Sequence, residues 1–170
     1  MTDTIVYGAQ NGLGLIDLRG KSYDDLIWDD LLDQLTAEDY QTLISSSGYG
    51  TPELKSVGKP YCMDADSATG LVFGSAGGTT FNGAEVTAQT WNRELALEFG
   101  NLLGNDALLG SGTVGWYCPA TNIHRTPFSG RNNEYYSEDA FMSGSMASAT
   151  VQEAAKKGLY TFVKHFALND

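Results

Sequence analysis

Apolar and polar positions along the chain follow two different periods. From 22 to 47 apolar residues return at helical spacing in two short runs. Thr36 opens the second run with Asp39 three residues later, a variant of the capping box in which each side chain takes the other residue's backbone N–H. Ser45-Ser46-Ser47-Gly48 ends it. The stretch from Gly58 to Asp66 reads as a short apolar strand running into acidic residues, and 67–82, rich in Gly, Ser and Thr, as a loop. Trp91, Leu95, Phe99, Leu102 and Leu103 recur at helical spacing with Arg93, Glu94 and Glu98 between them, which predicts an amphipathic helix whose stripe packs on a core. Val114 to Cys118 form a compact strand, followed by a polar segment without period up to Ser137. Ser137 is placed to cap the next helix, with Glu138 and Asp139 in its first turn and Lys156 and Lys157 in its last, the charge order a helix dipole favours. Gly158 closes that helix, and the β-rich run from Leu159 to Val163 delivers Lys164 and His165 at its end.

The order strand, loop, helix, strand, loop, helix, strand predicts a parallel α/β architecture, in which functional groups gather at the C-terminal ends of strands. Asp66, Arg131, Lys164 and His165 all fall at or after such ends. An open doubly wound sheet and a barrel share this local pattern.

Composition narrows the function classes. The formal net charge of −11 gives an averaged field that repels nucleic acid and anionic lipid surfaces, so a neutral ligand suits the chain better. No stretch reaches the roughly 18 apolar residues of a membrane span. The first residues lack the charged and apolar regions of a signal peptide, which for a piece of a longer chain says nothing of the parent. Cys62 and Cys118 stand far apart, without a metal-ligand or redox spacing, each in an apolar run. They read as buried free thiols and lean toward a reducing compartment, hence a cytoplasmic setting.

A carboxylate, a guanidinium, an ammonium and an imidazole on one pocket can bond several hydroxyls at once, and charged partners strengthen each bond. That is an inventory for a polyol; a structural ion-pair cluster around the mouth of the sheet is the alternative. No cofactor is called for. The only histidines, His124 and His165, belong to no metal-ligand spacing. The chain has no nucleophile elbow, phosphate-cradling loop or dinucleotide fingerprint, because the glycines of Ser75-Ala76-Gly77-Gly78 do not open a helix directly. His124 reads as a satisfied structural histidine and Arg125 as a residue that helps fold its loop. Of Tyr135 and Tyr136, one is expected to pack inward and the other is free to stack on a sugar.

The run from Gly115 to Asp139, with Gly130-Arg131-Asn132-Asn133-Glu134-Tyr135-Tyr136-Ser137-Glu138-Asp139 at its core, closely resembles the long loop of glycoside hydrolase family 3 and its Gly-Arg-Asn-x-Glu-x-x-Ser-Glu-Asp motif. Lys164-His165-Phe166 matches the family's next motif after a helix of suitable length, and Trp28 to Leu43 and Thr90-Trp91-Asn92 are similar to its segments leading into the barrel. The resemblance implies a partial (β/α) TIM-type barrel over 25–170, truncated after about half of its strands, preceded by a linker or lead-in segment at 1–24. It implies that Arg131, Lys164 and His165 hold hydroxyls of the sugar at the cleavage subsite and that Asp66 grips the far edge of that sugar. It further implies a small β-glucoside or related carbohydrate as substrate, for a β-glucosidase-type parent.

Two departures from the family pattern matter. Where the family has Asp-Gly-Pro-x-Gly, this chain has Asp66-Ser67-Ala68-Thr69-Gly70, and losing Gly and Pro changes the allowed backbone angles, so Asp64 rivals Asp66 for the gripping role. Family members of this kind are retaining enzymes that need a nucleophile and an acid/base about 5 Å apart across the glycosidic bond. The resemblance implies a nucleophilic Asp downstream of the Lys-His motif and an acid/base from a separate sandwich domain or loop. Asp170 aligns with neither, and a complete barrel takes about 250 residues, so the chain is expected to supply sugar binding without the nucleophile. A non-catalytic carbohydrate-binding piece or a structural remnant of a barrel is the alternative.

Overall fold

A computed structural model gives the structure of the protein and describes residues 5–72, 78–110 and 112–166. Ser75-Ala76-Gly77 of the Gly-rich loop and the terminal Asn169-Asp170 lie outside the described residues. The chain forms two compact units, Met1–Cys62 and Met63–Asp170.

The first unit carries helices α1 (Ile27–Leu32) and α2 (Ala37–Ser46) and the short strand β1 (Gly50–Thr51). Thr36 and Asp39 close the expected capping box: Asp39 N–H donates to Thr36 Oγ1 at 3.1 Å and Thr36 N–H to Asp39 Oδ2 at 2.8 Å. The backbone N–H from Thr36 also holds the Asp39 carboxyl below its ordinary range. Leu18, Leu31, Leu35, Leu54 and Val57 are buried together with Leu13, Ile27, Trp28, Tyr40 and Leu43 around them, each fully buried aliphatic contributing about 1.5–3 kcal/mol. Leu13 and Leu18 belong to the segment read from sequence as a linker. The buried Gln34 amide ties that segment down, accepting from Leu13 N–H at 2.8 Å and donating to Leu13 C=O at 2.7 Å.

The second unit has the expected β/α order. Strand β2 (Cys62–Ala65) runs parallel to β3 (Thr113–Trp116), and β3 parallel to β4 (Tyr160–Thr161). Helices α3 (Ala84–Gln89) and α4 (Arg93–Leu109) cross from β2 to β3, and α5 (Ala140–Lys156) crosses from β3 to β4. Among the described residues no helix is long and apolar enough to cross a membrane.

Three local expectations are corrected. The apolar stripe from Trp91 is only partly the buried face of α4: Leu103 is buried and Phe99 packs on the core, but Trp91 is 79% exposed, Leu95 and Leu102 are exposed as well, and the other buried positions are Ala96, Gly100, Gly104 and Ala107. The reason is the closeness of α5. A Cβ on Gly100 would collide with the Thr150 carbonyl, and one on Gly104 with the Lys157 side chain, so this face has to be small rather than large. Trp91 itself stands outside the helix at φ +55, ahead of the N-cap Asn92, whose Oδ1 accepts from Glu94 and Leu95 N–H. Next, α5 is capped by Asp139 and not Ser137; Asp139 accepts from Met142 N–H at 2.6 Å, while Ser137 Oγ takes the Asp139 N–H. Finally, both Tyr135 and Tyr136 are buried, so neither offers a stacking face, and burial pushes the Tyr136 phenol up to about 12.

Trp116 joins sheet to loop. Its ring is buried edge-on against Phe99, and its indole N–H donates to the Ser67 carbonyl at 2.9 Å. That bond fixes the chain just past the end of β2.

Candidate functional site

The site begins where the strands end. Beyond β3, Ala120 makes parallel bridges on both sides, to Tyr135 and to Lys164. Lys164 N–H donates to Pro119 C=O at 3.1 Å and Thr121 N–H to Lys164 C=O at 2.7 Å. Cis peptide bonds join Cys118 to Pro119 and Lys164 to His165. Main-chain pairing therefore brings the Lys-His pair beside the long polar loop. The loop folds on itself through His124, whose backbone N–H reaches Ser137 C=O and whose Nε2 lies 3.1 Å from Tyr135 C=O, a structural role as expected.

Asp66 and Lys164 meet across the end of the sheet, Lys164 Nζ donating to Asp66 Oδ1 at 2.7 Å with side-chain exposures of 18% and 21%. Burial works against the Lys164 ammonium, but the Asp66 bond and the surrounding negative groups outweigh it and leave its pKa above 10.5. Asp66 also accepts the Ser67 N–H at 2.8 Å. Ser67 sits at φ +123, a backbone region that favours glycine, so a serine holds a conformation that costs an L side chain strain. Ser67 Oγ compensates by accepting from Thr69 N–H and pairing with Thr69 Oγ1. Asp64 is 5% exposed, lies against Gly115 of β3 and does not line the cleft. Cys118 is free and buried, its thiol pushed up to about 12 by desolvation; Cys62 is free and half-buried.

Arg131 and Glu134 form the opposite wall. The guanidinium forks onto the carboxylate, Nε to Oε1 at 2.8 Å and Nη2 to Oε2 at 2.9 Å, within one 3-10 turn (Asn132–Glu134). The fork holds Glu134 below its ordinary 4.5 and raises Arg131 further. Arg131 Nη2 also lies 3.0 Å from His165 Nε2. Desolvation first, then the charges of Arg131 and Lys164, lower the His165 pKa from 6.5, so the ring is neutral at neutral pH.

Asp66, Arg131 and Lys164, with Glu134, Asn133, Thr69, Glu85 and Val86, line one open cleft of about 470 Å³. His165 braces Arg131 at its side. All four residues singled out from sequence are thus brought together. Three more make contacts in the site that the sequence reading did not anticipate. Glu134 stood inside the quoted motif, three residues from Arg131, a spacing that could have flagged the ion pair. Asn122, whose Oδ1 accepts the His165 backbone N–H at 2.8 Å, and Tyr135, whose hydroxyl is 3.4 Å from His165 Nδ1, left no signal in periodicity.

The arrangement is an array of charged donors and acceptors around an open polar space. The chain matches the family described as Glycosyl hydrolase family 3 N terminal domain over residues 33–169, and it belongs to that family. It is 33% identical to beta-glucosidase A of Butyrivibrio fibrisolvens over 152 residues, covering 84% of this chain and 18% of that protein. It is 31% identical to a beta-glucosidase of Ruminococcus albus, covering 96% and 19%. Among solved structures, a beta-glucosidase from Paenibacillus barengoltzii superposes with a TM-score of 0.79 at 29% identity, over 96% of this chain and 19% of that one. Beta-glucosidase 3B from Thermotoga neapolitana in complex with α-D-glucose superposes with a TM-score of 0.72 at 33% identity, over 81% and 22%. The chain therefore spans about a fifth of the length of these relatives.

Proposed function

We propose that the cleft between Asp66 and Arg131 holds the terminal sugar of a β-linked glucoside, as the sugar-binding part of a retaining β-glucosidase built on a (β/α) barrel. The carrying observation is the convergence of Asp66, Arg131 and Lys164 on one polar cleft, with His165 bracing Arg131. The glucose complex of the related Thermotoga neapolitana enzyme supports glucose as the occupant. Lys164 and Arg131 offer N–H donors to hydroxyl oxygens, and Asp66 accepts a hydrogen bond from a hydroxyl beside them.

Retention needs two carboxylates on opposite faces of the scissile bond. Asp66 holds Lys164 and Glu134 holds Arg131, so both are committed to binding groups. In this proposal the nucleophile and the acid/base come from residues outside this chain. Calorimetric titration of glucose into the chain, run beside an aryl β-glucoside hydrolysis assay, tests it. The expected result is heat of binding without turnover, and loss of at least ~10-fold in affinity for Arg131→Ala, the cost of one charged hydrogen bond. Unchanged glucose affinity in that variant would remove Arg131 from the site.

A further inference from the structure

His165 has two ring nitrogens with different neighbours, and those neighbours decide its chemistry. Nε2 faces Arg131 Nη2 at 3.0 Å, and a guanidinium can only donate, so Nε2 has to be the accepting nitrogen. In a neutral imidazole the proton then sits on Nδ1. Nδ1 is 3.2 Å from Asn122 Oδ1, and that same oxygen accepts the His165 backbone N–H at 2.8 Å. The backbone bond fixes which end of the Asn122 amide points at the ring: the oxygen, an acceptor. The Tyr135 hydroxyl, 3.4 Å from Nδ1, can likewise accept.

We infer that Asn122 is a positioning residue, whose side-chain carbonyl accepts a hydrogen bond from the Nδ1–H of His165 and so presents the Nε2 lone pair to the Arg131 guanidinium. This rests on the sugar-site reading for its consequence and not for its geometry. The consequence is a defined ligand polarity. Nε2 has one lone pair and Arg131 Nη2 occupies it, so the ring orients the guanidinium, and Arg131 meets the ligand as a donor. The charged groups that face the imidazole are Arg131 and Glu134 from the 3-10 turn, Lys164 beside it and Asp66 from the end of β2. The two cations oppose protonation of the ring, and the two carboxylates oppose them only in part.

The chain has two histidines, so its imidazole nitrogen spectrum contains two ring systems, and His165→Ala assigns them. Nitrogen-15 correlation spectra of the unsubstituted protein are expected to show His165 with Nδ1 protonated and Nε2 bare. In Asn122→Asp a carboxylate replaces the amide beside Nδ1 and the His165 titration midpoint is expected to rise by about one pH unit, with His124 unmoved. A protonated Nε2 in the unsubstituted protein, or an unchanged midpoint in Asn122→Asp, overturns the assignment. The first measurement needs no variant and decides the matter even if Asn122→Asp does not fold. Glucose titration into the same sample separates the two ideas. The stated tautomer without any glucose response removes the sugar site and leaves Asn122 in its role; a glucose response with the opposite tautomer does the reverse.

Discussion

Asp66 and Lys164 stand 98 residues apart in the chain and meet at 2.7 Å, whereas Arg131 and Glu134 stand three apart and close their fork inside a single turn. The first pair exists only when β2, β3 and β4 are in register, and it is four-fifths shielded from water. The second forms wherever that turn forms, with the Arg131 side chain 44% exposed. A cleft with one wall of each kind has a wall that reports the tertiary fold and a wall that is nearly autonomous. The backbone tells the same story: Ser67, next to Asp66, is held at φ +123, while Arg131 lies at φ −114 and ψ 8, open to any residue.

The sharpest way to break this contrast is Asp66→Ala. It leaves the Lys164 ammonium shielded and without its carboxylate, which should lower stability by about 2–3 kcal/mol. Glu134→Ala should cost less than about 1 kcal/mol, as for an exposed pair. Thermal or urea denaturation of the two variants side by side checks the ordering, and equal losses would dissolve the distinction. A smaller effect comes from the strained turn. Ser67→Gly and Ser67→Ala both lose the hydroxyl, but only alanine keeps the φ penalty, so the glycine variant should be the more stable by about 1 kcal/mol.

The smallest effect is the separation of the walls by pH. Glu134 has a lowered folded pKa, so its contribution is fully present above 4.5 and fades as pH falls below that value. The His165 pKa is lowered from 6.5; below that pH the unfolded chain takes up a proton that the native ring resists, and stability declines on acidification. Denaturation midpoints measured from pH 8 to 4 should therefore fall first below about 6.5, from His165, and again below about 4.5, from Glu134. Replacing His165 should erase the first step alone.

Much of this was legible in the sequence, for identifiable reasons. The Thr36–Asp39 box, the parallel β/α order and the delivery of Lys164 and His165 at a strand end depend on local spacing and chain order. The face of α4 is legible only at Phe99 and Leu103, because hydrophobic size does not reveal burial at Gly100 and Gly104, where the neighbouring helix comes too near for a side chain. Asp64 and Asp66 share the parity of a strand, so alternation gave them equal standing; only the fold shows that one lies over Gly115 and the other past the strand end. The strain at Ser67 was foreshadowed by the missing glycine, but which conformation the serine would take depended on Trp116 and Thr69. Asn122 was silent because its meaning comes from a residue 43 positions away.

Ala120 carries a consequence for how such a cleft can change over time. Its main chain is spliced to Tyr135 on one flank and to Lys164 on the other, so the gap between the walls is dictated by peptide spacing and not by whichever side chains line it. Exchange of lining residues is an open path to new ligand preferences. Adding or deleting a single residue between Trp116 and Ala120 is a closed one, since a one-step slip reverses the facing of every position beyond it.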